Sequence, residues 1–362
     1  MISVFDKKED CCGCTACKSI CSKRAITMKP DKEGFLYPEI NQELCSDCGI
    51  CRNVCAFQTG YDISHNLESP EVYALKHKSD EVRRSSSSGG AFTAISDYIL
   101  SIGGVVYGAA FDQELQVLHK RAESKTDRNK FRGSKYVESN LNDVFYQIRQ
   151  DLLNGKYVLF TGTSCQVAGL KKYLLKLKTN MERLILVDLI CHGVGSPLIF
   201  KDFVSYLERR NKSEVVEYYF RSKVAGWGHT EQIIFRNGRN DFSSTLSQLH
   251  KKLFYSNLCL RPSCYECRYA NIRRPSDITI ADFWGIENKF PEFKDDLGIS
   301  AVIINTHQGS IIHSKLNDIV TITCNIQDCL RKQKNLHSPS PLNPKREQFW
   351  QDYYKYGFEY IA

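Results

Sequence analysis

With 362 residues, the chain is long enough for two to three domains and a sizeable core. An apolar share of 42% is ordinary for a globular protein and excludes a disordered or fibrous chain. The formal charge of +8 comes from scattered pairs such as Arg83-Arg84, Lys171-Lys172, Arg209-Arg210 and Arg273-Arg274, so no basic stripe points to nucleic acid.

Residues 1–10 carry no apolar stretch of the secretory-leader kind. The longest nearly apolar run, Ile99–Phe111, is broken by Ser101, Gly103, Gly104 and Gly108 and is too short to span a bilayer. The sixteen cysteines are therefore expected as free thiols in a reducing cytoplasm, not as disulfides.

Eight of those cysteines fall in two copies of one spacing: Cys11-x2-Cys14-x2-Cys17-x3-Cys21 and Cys45-x2-Cys48-x2-Cys51-x3-Cys55. This is the spacing of two-cluster ferredoxins, where three cysteines of each run hold one [4Fe–4S] cube and the fourth crosses to the other. Cys11, Cys14, Cys17 and Cys55 are expected to hold one cube; Cys45, Cys48, Cys51 and Cys21 hold the other. Zinc is the alternative for C-x2-C pairs, but a four-ligand zinc site has no use for the third and fourth cysteine of each run. Ser22 and Ala56 follow the fourth cysteines, where Pro is usual. Cys12 is off the repeat and reads as a bystander. Each oxidised cube with its thiolates carries about −2, so two lower the net charge to about +4.

Residues 1–60 thus form a ferredoxin module, with two short strands at Ala25–Met28 and Phe35–Tyr37 around a Pro30–Gly34 turn. Residues 61–69 read as a linker. From residue 70 strands and helices alternate, as in an α/β domain. A strand at Val72–Lys76 leads to the small-residue loop Ser85-Ser86-Ser87-Ser88-Gly89-Gly90. A helix follows with Phe92, Ile95, Ile99 and Ile102 on one face, then a strand at Val105–Ala110. Leu141, Val144, Phe145, Ile148 and Leu152 repeat at helical spacing, and Gly155 suits the stop. Two similar units come next. Tyr157–Phe160 runs through Thr161-Gly162-Thr163-Ser164-Cys165 into a helix at about 166–176. Leu184–Leu189 runs through Ile190-Cys191-His192-Gly193 to a helix at Pro197–Arg210. Each places a cysteine at the C-terminal edge of a strand, where open α/β sheets bind ligands. Further on stand Cys259-x4-Cys264-x2-Cys267, a strand at Asp277–Ala281, and late strands at 299–306 and 310–313. Beyond 335, Pro339, Pro341 and Pro344 break regular structure ahead of an aromatic tail.

The stretches FTGTSCQVAGLKKYL, VDLICHGVGSP, RPSCYEC, SDITIADFWG, SSSSGGAFTA and GSKYV together resemble the family of coenzyme F420 hydrogenase/dehydrogenase beta subunits, over roughly residues 1–335 with the fused ferredoxin module. Ser164 and Gly195 stand where that family usually has Pro, which is expected to loosen two loops. The resemblance implies an α+β ferredoxin-like module (1–60), the linker (61–69), and an α/β domain with a mixed or mainly parallel sheet in two halves (70–152 and 153–335), before the Pro-broken tail (336–362). It implies two [4Fe–4S] clusters, FAD, and a third cluster held by Cys165, Cys191, Cys264 and Cys267, for which buried structural thiols are the alternative.

The loop Ser86, Ser87, Ser88, Gly89 and Gly90, with Lys135 and with Thr161, Gly162 and Thr163, is expected to hold the flavin. Small residues ahead of a helix let backbone N–H groups approach a pyrophosphate. His192 is the candidate acid or base. Trp227 and Trp284 are candidates to stack on a flavin, with a core role as the alternative. Cys259 is a weak substitute ligand, and Cys324 and Cys329 read as plain thiols. The chain is expected to be an iron–sulfur flavin-dependent oxidoreductase passing electrons between clusters, FAD and an organic two-electron substrate. That substrate would be coenzyme F420 or a bacterial metabolite, as in surface-polysaccharide loci. The alternative is a non-catalytic electron-transfer subunit of a larger complex. A redox partner protein and a small organic substrate are implied, without nucleic acid or a membrane span; a homo-oligomer is compatible. No G-x-G-x-x-G stands between a strand and a helix, which argues against a direct NAD(P)H site.

Overall fold

The computed structural model describes residues 3–362. The N-terminal module is a two-stranded antiparallel ribbon, β1 (Ile26–Pro30) and β2 (Leu36–Ile40), between the two cysteine runs. Asp31 fixes its turn: Oδ1 accepts from the N–H groups of Glu33 and Phe35, both at 3.0 Å. Three short helices, α1 (Ala16–Ile20), α2 (Ile50–Asn53) and α3 (Ala56–Thr59), lie within or follow the runs.

The larger domain is built on one mixed eight-stranded sheet. Its strands are β3 (Asn66–His77), β4 (Val105–Phe111), β5 (Val117–Ala122), β6 (Val158–Thr163) and β7 (Leu184–Leu189), then, after three strands of a second sheet, β11 (Ile278–Asp282), β12 (Ser300–Thr306) and β13 (Ile319–Cys324). The order is β13-β3-β12-β11-β7-β6-β4-β5. The central strands β11, β7, β6 and β4 pair parallel, and antiparallel strands flank them on both sides. Helices cover both faces, which is why β6 and β7 read as continuous apolar runs. The helices of this domain begin with α4 (Asp80–Arg84), α5 (Ala91–Ser101), α6 (Lys125–Asn129), α7 (Val144–Leu153), α8 (Ser164–Lys176) and α9 (Pro197–Asn211). Val158 and Phe160 pack under α7 and α8 on one face; Leu159, Ile185 and Val187 pack under α5 on the other.

A second sheet of β8 (Val215–Ser222), β9 (Thr230–Phe235) and β10 (Asn240–Asp241) has no counterpart among the sequence expectations. With α9, α10 (Leu249–Tyr255) and the C-terminal helix Arg346–Tyr356, it encloses an aromatic core of Phe200, Phe203, Tyr218, Phe220, Phe349 and Trp350.

Three sequence expectations are corrected. Residues 310–313 lie in the helix His307–Ser314, because Thr306 caps it by accepting from the Gly309 N–H at 3.2 Å. The linker ends at residue 65, since β3 begins at Asn66. The tail is not irregular beyond its prolines: Phe349, Trp350 and Tyr353 are the buried face of the Arg346–Tyr356 helix. No helix among the described residues is long and apolar enough to cross a membrane.

The ferredoxin module is fastened to the larger domain through buried polar contacts. Arg261 is fully buried and pairs with Glu138. Its Nε donates to the Cys11 carbonyl at 2.8 Å, and Nη2 donates to the Leu36 carbonyl at 3.0 Å. Its guanidinium also lies 4.2 Å from the Tyr37 ring centroid.

Candidate functional site

The two cysteine runs wind alike. Gly13 and Asp47, then Thr15 and Gly49, all have positive φ (72°, 53°, 63° and 71°), so each run turns back on itself on either side of its central cysteine. This register aligns Cys11, not Cys12, with Cys45.

The eight thiols gather as the crossed pattern requires. Cys11, Cys14, Cys17 and Cys55 line one cavity of about 20 Å³, beside Val4, Phe5 and Met28. Cys21, Cys45, Cys48 and Cys51 line another of about 30 Å³, beside Ile20, Ile26 and Ile40. Among the described residues no three His, Cys, Asp or Glu side chains are grouped tightly enough for one metal ion. The thiols instead surround small cavities, which suits a group broader than a single ion. Burial pushes the Cys11 thiol up to about 11 and that of Cys17 well above its usual range. Within the second quartet Cys48 is exposed.

The third set of cysteines also converges. Cys165 heads α8 at the end of β6, and Cys191 follows β7. Both line a cavity of about 40 Å³ with Cys264 and Cys267. Burial pushes Cys191 up to about 12 and Cys267 to about 11. Cys12 lines this cavity too, and it also lines the first quartet's cavity. The apparent bystander therefore stands between two thiol sets. Cys259 packs in the aromatic core, and Cys324 and Cys329 pack beside β3 and β12.

Ser164 and Gly195 do not loosen their loops. The Ser164 hydroxyl, 3% exposed, accepts from Arg274 Nη2, and Arg274 pairs with buried Asp188 at 2.9 Å. The Gly195 carbonyl accepts from the Glu138 N–H at 3.0 Å. A Cβ at position 195 would stand 2.6 Å from the Tyr136 carbonyl oxygen, so a proline would clash there.

A larger cavity of about 270 Å³ opens on the C-terminal edge of β6, β7 and β11. Ser86, Ser87, Ser88, Gly90, Lys135, Thr161, Gly162 and Thr163 all line it. Gly89 lies just behind, where a Cβ would meet the Leu75 carbonyl oxygen at 2.3 Å, so only glycine lets the loop seat on β3. The serine loop is latched to residues 132–135. Ser87 Oγ accepts from the Ser134 N–H at 2.8 Å, and Arg132 Nη1 donates to Ser85 Oγ at 3.0 Å. Burial lowers Lys135 to about 7.

The fit of a phosphate-bearing group is tested by the loop's own backbone. Among the described residues, the N–H groups of Ser87, Ser88, Gly89 and Gly90 have no hydrogen-bond acceptor, although Gly89 and Gly90 are buried. Consecutive buried donors ahead of the eleven-residue α5 suit an anion.

The two cavities share a wall made of Thr163, Gln166, Cys191, His192, Gly193 and Val194. The His192 ring spans this wall with both nitrogens engaged: Nε2 donates to Asn257 Oδ1 at 2.7 Å, and Nδ1 lies 3.3 Å from Ser340 Oγ. It holds the wall rather than offering a free ring nitrogen. Trp227 and Trp284 stack on each other at 4.2 Å and line neither cavity.

Several lining residues belonged to no motif: His119, Arg132 and Arg221. His119 Nε2 bonds the Thr161 carbonyl at 3.0 Å, and Nδ1 meets Ser139 Oγ at 2.9 Å. Ser139 in turn accepts from Gln166 Nε2 at 3.0 Å. Burial holds His119 down to about 4, so the ring is neutral.

Comparison with known proteins fits this geometry. Residues 155–326 match the family model for the C terminus of the coenzyme F420 hydrogenase/dehydrogenase beta subunit. The F component of the F(420)H(2) dehydrogenase of Methanosarcina mazei is 20% identical over 235 residues, which make up 61% of this chain and 64% of that protein. The match thus spans just under two thirds of that relative's length. A solved chain from the xenon-derivatised F420-reducing [NiFe] hydrogenase complex of Methanosarcina barkeri superposes with a TM-score of 0.51 at 19% identity, covering 81% of this chain and 95% of that one. At that identity the likeness speaks for the fold. Over residues 155–326, just under half of its length, the chain is similar to the C terminus of coenzyme F420 hydrogenase/dehydrogenase beta subunits.

Proposed function

We propose that the chain is an iron–sulfur flavoprotein oxidoreductase. It takes single electrons from a redox partner protein at the ferredoxin module and delivers two to an organic substrate in the large cavity. The observation that carries this reading is continuity. The second quartet, with exposed Cys48, lies at the surface, and Cys12 joins the first quartet's cavity to the third. Cys191 and His192 join the third to the cavity with the anion-ready loop.

The four cysteines of each set would hold a [4Fe–4S] cluster, and Ser86–Gly90, Arg132 and Lys135 would hold the FAD pyrophosphate. Bound FAD supplies the change from one-electron to two-electron chemistry, which clusters alone cannot make. The chain's own groups do the rest. Lys135, with its Nζ at 3.2 and 2.9 Å from the Lys130 and Arg132 carbonyls, is brought by burial to about 7, so it can give or take a proton near neutral pH. His192, Asn257 and Ser340 hold the partition between the cavities. A deazaflavin is the substrate class that the relatives' names suggest.

A second reading, an electron-transfer subunit without its own substrate, is favoured by the names of the two relatives, which place both in larger assemblies. Anaerobic purification with iron, sulfide and flavin counted per chain tests the first reading. About twelve irons and one FAD are expected, at four irons per cluster. Iron without flavin, even after FAD is supplied, refutes the flavoprotein reading and leaves the relay subunit.

A further inference from the structure

We infer that Lys223 is the positioning residue that turns the serine loop into an anion receptor, a role that rests on the flavin reading above. Lys223 follows β8, in the second sheet, and does not line the large cavity. Its Nζ donates to the Ser88 carbonyl at 2.7 Å, and to the Arg83 and Leu297 carbonyls. An ammonium has three protons, and all three are spent on backbone oxygens from three separate places in the chain.

The consequence follows from peptide geometry. In a trans peptide the C=O and the next N–H point in opposite directions. Drawing the Ser88 oxygen toward Lys223 therefore aims the Gly89 N–H away from it. The other side of the loop is fixed as well. The Ser88 hydroxyl donates to the Ile299 carbonyl at 2.7 Å, and the Gly89 carbonyl accepts from the His77 N–H at 2.7 Å. With these oxygens claimed from behind, the loop presents the unpartnered N–H groups of residues 87–90. A half-buried cation held against the Ser88 carbonyl also raises the potential felt by an anion at the loop's N–H groups. Without Lys223 the Ser88 and Leu297 oxygens would lose their partner, while the Arg83 oxygen keeps the Ser86 N–H at 3.2 Å, and a peptide flip that satisfies Ser88 would withdraw the Gly89 donor.

The role is separable from a general structural one by choice of ligand. The full-length protein, purified anaerobically and freed of flavin, is titrated with FAD and with riboflavin, which lacks phosphate. Lys223→Met is expected to weaken FAD by about tenfold or more, the scale of one lost charge-assisted contact, while riboflavin changes by less than about twofold. Lys223→Arg, which keeps the charge and its donors, is expected to restore FAD binding to within about threefold. Should Lys223→Met fail to fold, Lys223→Gln carries the same FAD-against-riboflavin comparison. Wild-type FAD affinity in the uncharged variants, or equal losses of FAD and riboflavin, overturns the inference. A wild-type protein that binds neither flavin refutes the flavoprotein reading itself, and this inference with it.

Discussion

Gly169, in the middle of α8, is a point where the ferredoxin module presses directly on the larger domain. A Cβ at this position would stand 2.7 Å from Cys14 Sγ and 2.9 Å from Cys14 Cβ, with the Phe145 ring at 3.6 Å. Nonbonded carbon atoms settle at about 3.5–4.0 Å, so Gly169→Ala forces Cys14 back by about 1 Å. Two effects oppose each other in the protein without clusters. Replacing glycine in a helix interior gains about 1 kcal/mol. Overpacking a filled site costs about 1–3 kcal/mol. The net change in stability is small, from about zero to a loss of about 2 kcal/mol. Cluster binding is far less tolerant, because ligand distances hold to about ±0.2 Å. Gly169→Ala is therefore expected to lose the first quartet's cluster selectively, dropping iron from about twelve to about eight per chain. The assay is iron and sulfide analysis after anaerobic purification, with denaturant unfolding of the cluster-free protein as the folding control. Full iron content together with a raised unfolding midpoint would show that Cys14 is not wedged against α8, and the docking argument would fail.

The crossed ligation gives a second expectation. Cys48 is exposed, so the second quartet's cluster should be the first to yield iron to a chelator. Cys21→Ser is expected to abolish that fast phase and Cys55→Ser to leave it; the reverse result means that each run binds its own cluster. His119 gives a pH dependence. Its folded pKa, lowered to about 4 by burial, lies below the usual 6.5, so protonation favours unfolding. The stabilising contribution is complete above pH 6.5 and falls by about 3 kcal/mol as the pH drops toward 4. Unfolding midpoints between about pH 7 and 5 measure it; His119→Gln should flatten the slope, and an unchanged slope refutes the assignment.

The parts of the site legible in the sequence are those fixed by short-range covalent geometry. The x2 and x3 steps place thiols within one or two turns of backbone, so both ferredoxin quartets follow from spacing. Cys165 and Cys191 were legible because each ends an apolar strand, and strand ends in such sheets share one edge. Lys223, Arg132, Arg221 and His119 were not legible. None sits in a motif, and each reaches its place through pairings distant along the chain. The Lys223 ammonium meets carbonyls 140, 135 and 74 residues away. The second sheet escaped for a related reason. The buried and exposed positions of β8 do not alternate, because its register with β9 shifts twice. The late helix at 307–314 escaped because a short run such as Ile311-Ile312 fits strand or helix equally until its cap is seen.

The fastening of the N-terminal module decides how the proposed electron transfer would run. A tethered shuttle needs a mobile linker and a weak, polar interface. Here the linker is held at its start, where the Tyr61 hydroxyl donates to the Arg273 carbonyl at 2.7 Å and Lys171 pairs with Asp62 at 3.2 Å. The interface itself holds the buried Arg261–Glu138 pair, with Arg261 also bonded to the Cys11 and Leu36 carbonyls, and opening it would strip that charge of its module partners. Opening it breaks the Arg261 bonds to the Cys11 and Leu36 carbonyls and the Leu36 N–H bond to Glu138, each worth about 1.5–3 kcal/mol for a charged partner, before counting the Tyr269 ring packed on Phe57 and Tyr61. The open state is thus too sparse to carry turnover by swinging. On the proposed reading, electrons entering at the second quartet would leave through the contact at Cys12, so the route would be set by how the module is docked rather than by diffusion.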